Sequence, residues 1–181
     1  MWYPTRITIP ATSEPVTTEY AKRRLRVDFG DDDSDIDLMI ESARDHAEKY
    51  CNTRFATQTV EMKCDGFCDL ERLPEAPVSS VTSIKYIDAE GTEQTVAGSV
   101  YELRADGLEA SIVAKYGQQW PPIQIGSRIT VTAVVGYADA PAAVKHAILL
   151  FIADAYEVRE NAKLDDWTAF DALLTNYRRG A

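Results

Sequence analysis

Few residues of this chain combine the types and the spacing that chemistry needs. Cys64 and Cys68 frame the run Cys-Asp-Gly-Phe-Cys, a separation that zinc sites use, and His46 and Cys51 could in principle complete four ligands. Structural zinc sites more often supply two tight ligand pairs, and His46 and Cys51 stand five residues apart, off a common helical face. Two small cysteines flanking a turn fit the same residues, so no metal is assigned. Asp31, Asp33, Asp35 and Asp37 alternate like calcium-loop carboxylates, but Ile36 stands where such a loop needs glycine for its sharp turn and Ser42 where it needs a bidentate glutamate. Asp28-Phe29-Gly30 spells the magnesium-binding triplet of protein kinases without the phosphate loop, paired lysine or catalytic loop that give it meaning. The two histidines are His46 and His146, and His146 lies in an apolar helical run that suits packing better than general-base work. Nucleophile-elbow, Walker and dinucleotide signatures are absent, so nothing supports an enzyme, although scattered carboxylates such as Asp69 and Glu71 leave room for one.

The elements that would position these residues follow from periodicity. Thr17 is a candidate N-cap for a short helix ending by Asp28, with Glu19 at the positive end of its dipole and Ala21 and Leu25 on one face. Ser34 and Asp37 read as a capping box for a helix from about Asp35 to Cys51, where Ile36, Ile40, Ala43, Ala47 and Tyr50 recur at helical spacing. The pattern then changes to period two. Thr57 to Cys64 and Phe67 to Leu73 flank Asp65-Gly66, which predicts a tight hairpin, and Val81 to Ile87 with Thr92 to Val96 predict a second. Tyr101 to Leu103 and Ser111 to Ala114 lie around Asp106-Gly107, and Arg128 to Val135 alternates as a strand with one buried face. Helical spacing returns from Pro141 to about Arg159, and Asp165 or Asp166 would cap a last helix carrying Trp167, Phe170, Leu174 and Tyr177. The fold class expected is α+β, with Ile36, Ile40, Ala47, Val144, Ile148 and Ile152 sharing a helical core. The chain is expected to be a single domain, with helices over about 17–51 and 141–178 and a β-rich insert over about 57–135.

Charge narrows the partners. Across 181 residues the net charge is -10, the wrong sign for gripping a phosphate backbone over a broad face. Asp28 to Glu48 holds nine acidic residues and one basic, Arg44, so this window carries -8 of that total. Lys22, Arg23, Arg24 and Arg26 lie immediately before it, a polarity that suits oppositely charged neighbours or a solvated helix face beside an acidic cap. No apolar run approaches the roughly 20 residues that cross a bilayer, and no export signal is evident, so the expectation is synthesis in the cytosol, reduced cysteines and no membrane partner.

Several stretches, in order, resemble the head-tail connector, or adaptor, proteins of tailed bacteriophages, a family found also in prophages and gene transfer agents and associated with DNA packaging. They are PVTTEYAKRRLRVD, SDIDLMIESARDHAEKYCNTRF, LPEAPVSSVTSIKYIDAEGTEQTV, IVAKYGQQWP, VTAVVGYAD, PAAVKHAILLFIADAYEVRE and ALLTNYRR, which together cover nearly all of Pro15 to Arg179. The first fourteen residues and the Cys64–Cys68 pattern lie outside the resemblance. What it implies is a non-enzymatic structural protein without a cofactor, arranged as a ring of roughly a dozen copies at the head-tail junction. Its implied partners are the portal protein, a neck or tail-completion protein and further copies of itself, with DNA passing through the channel without specific binding. The acidic balance fits such a channel by repelling a moving polyanion. The resemblance also implies portal binding through the C-terminal region, here Trp167, Phe170, Leu174, Tyr177, Arg178 and Arg179; packing of that stripe on the subunit's own core is the alternative. Charge pattern suggests that Lys22, Arg23, Arg24 and Arg26 of one copy meet Asp31, Asp32, Asp33 and Asp35 of the next. A small α+β ligand- or metal-binding protein is the rival reading, to be recognised by an apolar pocket with convergent polar groups.

Overall fold

The computed structural model describes residues 1–158 and 168–180. The chain forms two compact units, one of Met1–Thr12 with Thr57–Tyr137 and one of Ser13–Ala56 with Ala138–Ala181, and the class is α+β.

The second unit is helical: α1 (Thr18–Leu25), α2 (Asp33–Cys51), α3 (Ala142–Glu157) and α4 (Ala169–Leu174), followed by a 3-10 turn at Thr175–Tyr177. Thr17 caps α1 as expected, its hydroxyl accepting from the Tyr20 N–H at 3.2 Å, and the helix stops at Arg26 in the left-handed region. All six residues expected in the helical core are buried, at 1% exposure or less. At about 0.8 kcal/mol per buried CH₂, this apolar seam carries much of the unit's stability. The Ser34 capping box does not form. The helix begins at Asp33, because the Asp37 carboxylate takes the Thr18 hydroxyl and Asp33 takes the Lys22 ammonium at 2.5 Å, so tertiary partners outcompete the local cap. His146 is exposed rather than packed, since the buried stripe of α3 runs through Val144, Ala147, Ile148 and Ile152 and leaves it on another face. Thr168 caps α4 in a reciprocal box with Asp171; the expected caps Asp165 and Asp166 lie outside the described residues.

In the first unit, β1 (Arg6–Ile9), β2 (Gln58–Cys64), β3 (Val78–Ile87), β4 (Glu93–Thr95) and β7 (Ile129–Val135) form an antiparallel sheet in the order β1-β2-β7-β3-β4. A separate hairpin joins β5 (Tyr101–Asp106) to β6 (Glu109–Ala114), with Gly107 supplying the positive φ its turn needs. The alternating strands β2 and β7 pair so that Val60, Met62 and Cys64 face Ala133, Val131 and Ile129, all buried. A slip of one residue would turn every one of these to solvent, which fixes the register.

The expected hairpin at Asp65-Gly66 is not there. Phe67–Glu71 is a 3-10 helix, and Gly66 is extended at φ -163°. The cause is Asp69, whose carboxylate accepts the Asp65 and Gly66 N–H groups, each at 3.2 Å, and winds the segment so that Leu70 is buried. The neighbours of β2 are therefore β1 and β7, and β1 comes from a stretch to which the sequence pattern assigned no element. Among the described residues no helix is long and apolar enough to cross a membrane.

Asp69 also holds the Met1 ammonium at 2.7 Å, and this bond, opposed by burial and helped by the backbone N–H groups, keeps its carboxyl below the ordinary 3.8. A depressed carboxylate adds stability above its unfolded pKa and loses it as pH falls through the lower folded value. The Asp69→Asn variant should therefore be less stable at pH 7 and lose less than the parent between about pH 5 and pH 2, as read from urea midpoints.

Candidate functional site

The basic and acidic segments expected to meet between copies are adjacent within one chain. Besides the Lys22–Asp33 pair, the Tyr156 hydroxyl donates to Asp32 at 2.6 Å, and Arg23 lies over the Tyr20 ring at 5.3 Å. Arg24, Arg26, Asp31 and Asp35 are exposed and have no ion pair among the described residues. The charges available to a neighbour are therefore these four, together with Arg23, while Lys22, Asp32 and Asp33 are partly engaged at home.

Beside the start of α1 lies an open crevice of about 440 Å³, floored by Val16 and Ile40 and edged by Ser13, Glu14, Thr17, Thr18, Asp37 and Glu41. Its order depends on Arg44, which reaches Glu14 at 2.7 Å, Glu48 at 3.7 Å and Glu41 at 3.9 Å. Burial works against the Arg44 cation, but the Glu14 bond and the surrounding carboxylates outweigh it and raise its pKa above the ordinary arginine value. Sequence pattern missed this arrangement because Glu14 lies in the unmatched leading segment and meets Arg44 only in the folded chain.

The C-terminal segment packs on its own helical unit. Leu174 is fully buried, and the half-buried Phe170 has its ring 5.3 Å from His46, 5.9 Å from Phe151 and 6.0 Å from Tyr50. Tyr177 meets Phe55 edge-on at 6.1 Å, and its carbonyl accepts from the Thr53 hydroxyl at 2.8 Å. Arg178 is exposed and covers the Tyr50 ring at 4.9 Å, whereas Arg179 is buried and its N–H donates to the Cys51 carbonyl at 2.8 Å. Trp167 lies outside the described residues. Of the stripe, Phe170 and Leu174 serve the core, and Tyr177 and Arg178 retain exposed surface.

Glu48 makes this seating possible. At 3% exposure its carboxylate accepts from the Phe55 N–H at 2.8 Å and the Ala56 N–H at 3.3 Å, and faces Arg54 at 3.3 Å. It thus shapes the turn after α2, where Asn52 adopts the left-handed conformation that ends the helix.

The four residues considered for zinc do not form a site. Cys51 is buried with its thiol directed at the Leu174 carbonyl, and His46 stacks on Phe151 at 5.3 Å. Cys64 is buried against the Gly66 carbonyl, while Cys68 is exposed. Burial pushes the thiols of Cys51 and Cys64 up to about 11 and about 12, away from the thiolate a metal takes. Among the described residues no group of three His, Cys, Asp or Glu side chains is placed to hold a metal ion.

Comparison with known proteins decides the family. Residues 16–113, more than half the chain, match the model of the phage gp6-like head-tail connector proteins. The chain belongs to that family. The solved neck of an empty gene transfer agent particle, computed with C6 symmetry, has the same fold at a TM-score of 0.83, with 20% identity over 99% of this chain and 97% of that one. The virion of a native gene transfer agent particle gives 0.83 at 21% identity over the same shares. A native neck computed with C12 symmetry gives 0.70 at 20% identity over 97% of each chain. The matched fold thus extends from the family segment to both ends of this connector-family chain. No curated protein matches it.

Leaving the Phe55 and Ala56 N–H groups and two arginines without their carboxylate is costly. Glu48→Ala should lose about 3–5 kcal/mol in urea denaturation, and Glu48→Gln distinctly less, because its amide oxygen still accepts from the turn.

Proposed function

We propose that this chain is a structural component of a virion or virion-like particle, forming a ring at the head-tail junction that binds the portal and gives neck and tail proteins their docking surface. The observation that carries this reading is the connector-family match over residues 16–113, seconded by a fold shared over 99% of the chain with proteins of solved particle necks. The role is architectural rather than enzymatic. Portal, tail-completion protein and further copies of the chain are the partners, the host cytoplasm is the place of synthesis, and DNA passes the acidic surface without being held.

Within that role, Arg24 and Arg26 of one copy approach Asp31 and Asp35 of the next. Exposed pairs of this kind contribute only about 0–1 kcal/mol each and are screened by salt, so the free protein assembles weakly and docking on the portal completes the ring. Portal contact falls to Tyr177 and Arg178, which retain exposed surface, and to Trp167, which lies outside the described residues. Phe170 and Leu174 support it from beneath, and Arg179 holds its backbone to α2.

Deleting the gene should leave DNA-filled or unstable heads beside free tails in electron micrographs, with infectivity or gene transfer restored by a plasmid copy. Normal particle yield and activity from the deletion strain would refute the assignment.

A further inference from the structure

Both edges of the five-stranded sheet are open, at β1 and β4. All four residues of β1 and all three of β4 are exposed, and β1 presents Ile7 at 45% and Ile9 at 56% exposure. Edge strands are ordinarily blunted by short length, bulges, proline or charge against pairing with another chain; β1 is four residues long, with an irregularity between Ile7 and Ile9 and Pro10 directly after it, yet half of it is isoleucine. Every neighbouring pair in the sheet is antiparallel, so the four steps from β1 to β4 restore the strand direction and the two edges run parallel.

That direction makes a head-to-tail pairing of the two edges a parallel one. Two-fold association would set β1 against β1, whereas a cyclic, head-to-tail association brings the β4 of one copy beside the β1 of the next with their directions matched. The charges agree with the second arrangement. Arg6 is the only charged side chain in residues 1–12, and it has no ion pair among the described residues. From Tyr86 to Leu103, around β4, there are Asp88, Glu90, Glu93 and Glu102 and no basic residue. Asp88 is occupied by the Thr92 and Glu90 N–H groups, Glu93 by Lys85 at 2.8 Å and Glu102 by Arg104 at 2.7 Å, which leaves Glu90 exposed for a cation.

We propose that the β1 edge docks a second copy of this chain through its β4 edge, adding strands in parallel from copy to copy, with Arg6 directed to Glu90 of the neighbour. The inference rests on the ring reading above and names a surface for it. Parallel addition supplies evenly spaced main-chain hydrogen bonds, and the apolar side chains of Ile7 and Ile9 are removed from water.

Cysteine pairs test the geometry. In a Cys68→Ser background, Ile7→Cys combined with Gln94→Cys should give a ladder of disulfide-linked multimers when the chain is mixed with a purified portal ring and gently oxidised. Arg6→Glu and Glu90→Arg should each weaken assembly roughly threefold, and the double reversal should restore it. Rings seen by native mass spectrometry without the cross-link, or dimers from Ile7→Cys alone, would overturn this contact and leave the ring reading intact. Absence of any ring with the parent chain would overturn the ring reading, and this contact with it.

Discussion

The buried Glu48 carboxylate is the interaction on which the helical unit depends. Its bonds to the Phe55 and Ala56 N–H groups fix how the chain leaves α2, and Arg44 and Arg54 supply opposing charge. A carboxylate taken out of water is tolerated only with such partners, so the turn and both arginines are held together. The C-terminal segment is seated on this same turn, through the Arg179 N–H to the Cys51 carbonyl and the Thr53 hydroxyl to the Tyr177 carbonyl. Without a shaped exit from α2, those backbone groups would lose their partners.

This arrangement bears on the two readings of the C-terminal stripe: it shows packing on the subunit's own core and leaves part of the segment exposed. An amphipathic segment meant only for a partner would expose its apolar face, and one meant only for the core would bury all of it. Here Leu174 is fully buried, Phe170 half-buried and Arg178 exposed. A segment anchored on one side would present the other to a partner at low entropic cost, because it is already ordered. The charge pattern has a similar economy: Lys22 restrains Asp33 within the chain, while Asp31 and Asp35 stay exposed.

Much of the fold was legible where one local pattern had no competitor. The alternation of β2 and β7, the seam of Ile36, Ile40, Val144, Ile148 and Ile152, and the Thr17 cap all follow from spacing alone. The failures occur where a side chain found a stronger partner. Asp69 took the backbone of Asp65 and Gly66 and replaced a hairpin by a 3-10 turn, while Asp37 took Thr18 and left Ser34 without its box. The edge strand β1 was readable in the alternation Arg6-Ile7-Thr8-Ile9, but four residues before a proline give a weak signal, and the strand exists only because β2 has a free edge to pair with. The crevice rests on the contact of Glu14 with Arg44, thirty residues apart, and the Glu48 turn on a carboxylate reaching past the end of its own helix to backbone N–H groups, and periodicity encodes neither.

The central claim is that this chain forms the ring at the head-tail junction. A reconstruction of the neck from particles produced by the native gene cluster tests it most directly, with the chain fitted as its helical and β units. The account predicts a closed ring of copies directly beneath the portal, with the C-terminal segment on the portal side. Density for the portal joined straight to tail proteins, or this chain found elsewhere in the particle or missing from it, would contradict the account.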